Sequence, residues 1–476
     1  MTSASIYRKL DWPLIVCYLL LVLTGWLSVF SSVYDPEYST GIMDFSQRSG
    51  MQFIWIVSSL VIASLIIFAI NPKFYNVTAW LLYAFSLLLL LSVLFLGVEV
   101  NGSRSWLVAG PLRIQPAEFT KITTSIALAS LMGGYNFRLR TLSGYSRIAA
   151  IILIPMMLIV MEKETGSALV YLSFIFMLYR EGLSGWFLVL GMIAILLFVT
   201  TLAFSPFVSV TILFGIMVIA RGLFTKDLLR HIIFLVIYIP LIILSQRLEN
   251  LFRFASFGEW NDLVWPLLII SPPFVFHIVQ AFRQKKKYMW NIILSSVLYL
   301  VLIFSVNILF DKVLQDHQKV RIENLLGITQ DLQGAGYNVH QSMIAIGSGG
   351  FAGKGFLHGT QTKFNFVPEQ STDFIFCTVG EELGFLGSLF IVLIYAYLLI
   401  RIISLAEKQK DAFSRIYGYC VASVIFLHFF INIGMTIGLV PVIGIPLPFV
   451  SYGGSSLWSF TILLFIFIRL DLERWK

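Results

Sequence analysis

The chain has 476 residues, 58% of them hydrophobic and only 12% charged, with a mean hydropathy of +0.87. An ordinary soluble domain carries about 25% charged residues, so a water-facing globular enzyme is excluded, and the net charge of +8 falls to short loops rather than to a nucleic-acid surface. The short alternating segments of a β-barrel are absent, which leaves an all-α polytopic integral membrane protein built from apolar runs of about 20 residues.

In chain order the apolar runs predict fourteen spans. The first four lie at 12–30, 51–70, 78–98 and 116–135, and two short ones follow at 148–161 and 166–179. Four more lie at 185–203, 206–220, 228–244 and 264–282, an eleventh at 290–310, and the last three at 379–401, 413–439 and 455–468. No small-residue cleavage site follows the first run, which reads as a retained span. With the N-terminus inside, parity places Arg138, Arg140 and Arg147, then Arg180, then Arg221, Lys226 and Arg230 on one side. Arg283 with Lys285 to Lys287, Lys408, Lys410, Arg415 and the tail "RLDLERWK" join them. The basic clusters therefore share one face, as cytoplasmic loops do, and both termini are expected in the cytoplasm.

The same parity puts three irregular segments outside: 99–115, the large loop 311–373, and 438–456. In the first, Arg104 and Arg113 flank Trp106, and Glu118 and Lys121 follow on one helix face three residues apart. An interfacial tryptophan with a surface ion pair accounts for much of this. Lys121 nevertheless lies in an apolar run, where an ammonium group needs a buried partner or an anionic ligand such as a lipid pyrophosphate.

The second segment carries "GSGGFAGKG", which fails the phosphate-loop pattern GxxxxGK[ST] at both ends and reads as a flexible loop with one cation, Lys354. Next comes "VPEQSTDFIFCTVGEELG", with Glu369, Asp373, Glu381 and Glu382. Thr378 and Glu381 match a capping box. Asp373 stands at the threshold of an apolar helix, where the helix dipole favours it and where a carboxylate also serves as a general base. The third segment has Pro441, Pro446, Pro448, Gly453 and Gly454 and cannot be a regular helix, so it predicts a groove. The cysteines Cys17, Cys377 and Cys420 have no CxxC spacing, and the six histidines form no metal motif.

The stretches "NGSRSWL", "QPAEFTK", "GSGGFAGKGFLHGTQTKFNFVPEQSTDFIF", "GEELG" and "GIPLPFVSYGGSS" resemble the signatures of the SEDS (shape, elongation, division and sporulation) family, bacterial peptidoglycan glycosyltransferases. The "HGTQTKFNFVPE" passage is more similar to the RodA branch, for cell elongation, than to the FtsW branch, for division. The resemblance implies a ten-span core that polymerises lipid II on the outer face of the cytoplasmic membrane, with no required cofactor and with or without a divalent cation. It carries the essential aspartate to Asp373, the loop tryptophan to Trp106, and basic positions to Arg104 and Lys121. Glu118, Lys354 and Glu369 complete the candidate substrate-binding set. The implied partners are the lipid-linked glycan strand, a class B penicillin-binding protein and other membrane proteins of the elongation machinery.

Two departures stand out. Ser371 occupies a position where many relatives have histidine, and about four spans exceed the family's ten, placed here at 182–287 within a single transmembrane domain, 1–476. A transporter of lipid-linked precursor is the alternative function, although few charges lie deep in the spans. A non-catalytic scaffold would not need acidic and basic groups gathered on one face.

Overall fold

The computed structural model describes residues 7–34, 41–100, 102–110, 112–204, 206–249, 271, 275–276, 279, 287–312, 316–328, 336–364 and 366–475. They form helices almost throughout. α1 (Trp12–Val33), α2 (Arg48–Phe68), the short α3 (Pro72–Val77) and α4 (Ala79–Leu96) lead into three strands, β1 (Val98–Val100), β2 (Ser103–Ala109) and β3 (Leu112–Ile114). α5 (Pro116–Met132), α6 (Leu142–Met161), α7 (Thr165–Val170) and α8 (Phe174–Arg180) follow, with a 3₁₀ turn between the last two. Next are α9 (Trp186–Ala203), α10 (Pro206–Thr225), α11 (Leu228–Glu249), α12 (Lys287–Lys312), α13 (Asp316–Leu325), α14 (Tyr337–Ser348) and α15 (Thr360–Lys363). α16 (Ile375–Glu407), α17 (Ala412–Thr436) and α18 (Gly454–Asp471) close the chain.

Among the described residues ten helices are long and apolar enough to cross a bilayer. α5, the broken pair α7–α8 and α11 fall on three further predicted segments, and the predicted span at 264–282 lies almost wholly outside the described residues. The three strands modify the all-α expectation: 98–114 is an antiparallel meander in the order β1-β2-β3, with Glu99 opposite Arg104. Its short strands pair locally, so the meander needs no longer-range sheet.

The chain divides into two compact units, Met1–Ser184 with Tyr337–Lys476, and Gly185–Gly336. The second unit packs Leu197, Val210, Phe214, Met217 and Ile303 in a core of its own, and the Tyr299 hydroxyl donates to the Leu190 carbonyl at 2.7 Å.

The first unit is built around α17 and α18, which bury 72% and 78% of their spanning windows, against 28% for α2, α4 and α6. The peripheral helices thus keep apolar faces outward, as lipid-facing helices must. Polar contacts fasten the interior: the Tyr18 hydroxyl lies 3.1 Å from Thr461 Oγ1, and Tyr417 donates to the Leu463 carbonyl at 3.1 Å. Such interhelical bonds contribute about 0.6 kcal/mol each on average.

The glycine-rich stretch is a built dock, not a loose loop. α16 breaks at Gly384 (φ 65°, ψ −157°), which frees backbone groups that a continuous helix would pair. The stretch satisfies them: Lys354 N–H donates to the Glu381 carbonyl, Gly355 N–H to Glu382, and Phe385 N–H to Gly350. Glu381 also departs from its expected role. α16 begins at Ile375, so Glu381 sits beyond its first turn and instead accepts from the N–H groups of Thr360, Gln361 and Thr362 at the start of α15.

Candidate active site

The irregular segments meet at one end of the first unit. α2, α5, α7, α16 and α18 all begin there, and none of the five has a side-chain hydrogen bond at its N-cap. At the opposite end, Asp11, Thr141 and Asp411 cap α1, α6 and α17 in the ordinary way. Contacts stitch the site end together. Arg104 N–H donates to the Glu162 carbonyl at 3.1 Å, and Ser455 Oγ donates to the Arg113 carbonyl at 2.9 Å.

Asp373 lies half-buried in the turn just before α16. That turn is clamped from two sides. On one, Tyr452 N–H donates to the Ser371 carbonyl at 2.9 Å and Ser451 Oγ to the Thr372 carbonyl at 2.7 Å. The Asn432 amide donates to the carbonyls of Asp373 at 2.9 Å and Ile445 at 2.8 Å, locking the aspartate's main chain to the third irregular segment. On the other side, Gln370 Nε2 donates to the Ser32 carbonyl at 2.8 Å, Ser31 bonds Glu382, and Arg48 Nη1 donates to Ser371 Oγ at 2.5 Å. Gly444, at φ 75°, stands directly over the carboxylate: a Cβ there would lie 3.3 Å from Asp373 Oδ2. A larger residue would be strained and would fill the space beside the only atoms of Asp373 fit to take a proton.

The other predicted site residues fall into separate sets. Lys121 is 1% exposed and its ammonium donates to Glu118 at 2.9 Å and to His428 Nε2 at 2.9 Å, with the Phe460 ring centroid 5.0 Å away. The His428 ring must then carry its proton on Nδ1, which faces the Pro446 carbonyl at 3.2 Å. Lys121 is therefore an internal cation neutralised by its neighbours. His428 and Asn432 sit four apart on α17 and so on one face, which joins the Lys121 set mechanically to the Asp373 turn.

Lys354 is likewise committed, to Glu381 and Thr360 at 2.7 Å each. Arg104 is exposed and pairs with Glu99 across the meander at 3.5 Å, and Trp106 is half-buried on the same strand. Glu369 shares the Asp373 turn and accepts from Thr372 Oγ1 at 3.0 Å.

Sequence reasoning missed Arg48, Asn432, His428 and the pair Glu162 and Glu164. The last two had a signal, two carboxylates in "MEKETG" between short apolar runs. Glu162 is 1% exposed with neither carboxylate oxygen hydrogen-bonded among the described residues. Burial, with the Glu164 charge beside it, pushes its carboxyl up to about 8. No group of three or more His, Cys, Asp or Glu that would hold a metal ion occurs among the described residues.

The site is thus an acidic turn clamped at one end of a bundle of helices, ten of which, among the described residues, are apolar and long enough to span a membrane. Residues 11–214 and 274–476 match the FtsW/RodA/SpoVE family, described as cell cycle proteins. "Peptidoglycan glycosyltransferase RodA" of Treponema pallidum is 30% identical over 451 residues, covering 94% of each chain. The chain belongs to the FtsW/RodA/SpoVE family. Two solved structures share the fold. One, from work titled "Structural coordination of polymerization and crosslinking by a peptidoglycan synthase complex", has a TM-score of 0.59 at 24% identity, covering 98% of this chain and 99% of the other. The other, Thermus thermophilus "Rod shape determining protein RodA", has a TM-score of 0.53 at 21% identity, covering 98% of each.

Proposed function

We propose that the protein is a peptidoglycan glycosyltransferase that polymerises lipid II into glycan strands during cell elongation. Fourteen crossings would place both termini in the cytoplasm and the Asp373 turn on the extracytoplasmic face of the bacterial inner membrane. A sugar hydroxyl of lipid II attacks the anomeric carbon of the growing strand, the new glycosidic bond forms, and the bond to the lipid diphosphate breaks. Asp373 accepts the hydroxyl proton, and the diphosphate leaves with its own charge, to be offset by nearby cations.

The observation that carries this reading is the treatment of Asp373. Its backbone is fixed by a buried amide at 2.9 Å while the space over its carboxylate is kept clear by Gly444. A helix-start aspartate serving only the dipole needs neither feature. Family membership and the name of the Treponema relative support the chemistry. The structure from the peptidoglycan synthase complex supports a crosslinking partner, a class B penicillin-binding protein.

The test is reconstitution of the purified chain in liposomes with lipid II. Asp373→Asn keeps size and polarity but cannot take the proton, so polymer should fall by about 10²–10⁴-fold, with thermal stability near wild type. Normal polymer from a well-folded Asp373→Asn variant would end the general-base assignment. Translocation of lipid II without polymer would instead establish a transporter.

A further inference from the structure

A cleft of about 340 Å³ opens beside the Asp373 turn, between the end of α1, the start of α2 and residues 367–371. Ser32, Arg48, Pro368, Glu369, Gln370 and Ser371 line it. A single water occupies about 30 Å³ of liquid volume, so the cleft takes a group many times larger. Among the described lining residues the one cation is Arg48, whose side chain remains 48% exposed. The guanidinium bonds Ser371 Oγ at 2.5 Å, lies 3.9 Å from the Glu369 carboxylate and sits 5.8 Å from the Tyr452 ring centroid.

Three features distinguish Arg48 from the other basic residues around the site. First, its charge is only loosely paired, with the Glu369 carboxylate 3.9 Å away. Lys121 and Lys354 each donate to a carboxylate within 2.9 Å, whereas the hydrogen bond of Arg48 goes to a neutral hydroxyl. Second, of the five N–H donors on a guanidinium, only one is hydrogen-bonded to a described residue, and Arg48 lines the cleft. Third, Arg48 is the first residue of α2, where the helix dipole disfavours a cation. Helix stability alone would select an acid or a neutral residue there. The Gln370 bond to Ser32 holds the floor of the cleft against α1, so the site does not depend on Arg48 to exist.

We propose that this cleft receives the diphosphate of the lipid-linked substrate and that Arg48 is the residue that binds it. The assignment rests on the polymerase reading above and adds the residue that recognises the leaving group. The planar fork of arginine matches two phosphate oxygens at once, and Ser371 anchors it two residues from Asp373. The base and the leaving-group cation are thereby set on the same clamped turn. Glu369 on the rim opposes an anion, so its charge limits affinity and favours release of the product.

Binding of farnesyl diphosphate to the purified full chain in neutral detergent micelles tests the assignment apart from turnover, with inorganic pyrophosphate and phosphatidylglycerol as competitors. We expect farnesyl diphosphate and inorganic pyrophosphate to compete. Arg48→Gln should weaken both by about 10–100-fold, the loss expected of a charge-assisted hydrogen bond. Arg48→Lys should fall between, Ser371→Ala should stay within about threefold, and Glu369→Gln should tighten binding. Unchanged affinity in a folded Arg48→Gln variant overturns the proposal. So does a Ser371→Ala loss equal to that of Arg48→Gln, which would make the contact structural, or displacement by phosphatidylglycerol as readily as by pyrophosphate. If wild type polymerises lipid II while Arg48→Gln binds normally, the subsite alone falls. If wild type binds the diphosphate through Arg48 but makes no polymer, the polymerase reading falls instead.

Discussion

Replacing Lys121 with methionine separates two roles that the sequence left open. The ammonium lies 2.9 Å from the Glu118 carboxylate, and both side chains are at most 2% exposed. At an effective dielectric of about 20, two unit charges at that distance attract by about 6 kcal/mol. Much of this offsets the desolvation of both groups, so the net value of the pair is small. Removing one partner is different: it strands a buried carboxylate and typically costs about 3–5 kcal/mol. Lys121→Met should therefore lose stability on that scale in thermal or denaturant unfolding in detergent, and Glu118→Leu should lose a similar amount. The double variant Lys121→Met/Glu118→Leu should recover most of the loss, a coupling that a double-mutant cycle reads directly. Additive losses, or a Lys121→Met variant as stable as wild type, would refute the internal-pair assignment. If such a stable variant failed to polymerise, Lys121 would belong to the substrate after all.

Three further outcomes follow from other parts of the first unit. Glu162 has a folded pKa of about 8 against an ordinary 4.5. The folded state therefore holds the proton more tightly: the stabilisation is complete below about pH 4.5, declines as pH rises toward 8 and is absent above it. The melting temperature in detergent should fall across that window and flatten in Glu162→Gln, and equal slopes in the two proteins would reject the assignment. Gly384→Ala places a Cβ 2.3 Å from Gly353 N at a conformation costing about 1–3 kcal/mol, so the glycine dock should open. Limited proteolysis within 349–355 checks this, and unchanged protection would count against it. All three native cysteines are buried, so Ala352→Cys gives a clean topology probe. An impermeant thiol reagent should label it in intact cells, and labelling only after lysis would invert the proposed orientation.

How much of this was legible in the sequence follows from how far apart the contributing residues lie. The spans were readable because apolar length is a local property, and helices occur on the predicted segments that the described residues cover. Glu118 and Lys121 were recognised as neighbours because three residues on a helix bring them together. The third partner, His428, is 307 residues away and carries no local mark. Arg48 was invisible for the same reason: its hydrogen-bond partner lies 323 residues along the chain. Glu381 was assigned to its own helix because a T-x-x-E match is local, whereas the chain uses it to start a different helix 21 residues earlier. The meander at 98–114 was missed because its two outer strands are only three residues long and the seven-residue strand between them shows no clear apolar alternation in "SRSWLVA".

The bare helix starts at the site end have a consequence for engineering and for natural variation. Gln47 and Gln115 already adopt the extended backbone of a capping residue (φ −103°, ψ 162° and φ −105°, ψ 101°) without using their side chains to cap. Serine or aspartate at Gln47 would typically add about 0.5–2 kcal/mol to the fold, whereas at Gln115 the gain is offset by loss of the bond from its Nε2 to the Glu164 carboxylate. The same substitution would occupy N–H groups at the mouth where an anionic substrate is proposed to enter, and aspartate would add a repelling charge. This end of the bundle is thus a place where thermostability is easily raised at the expense of turnover, and a library selected only for heat resistance should accumulate caps there first.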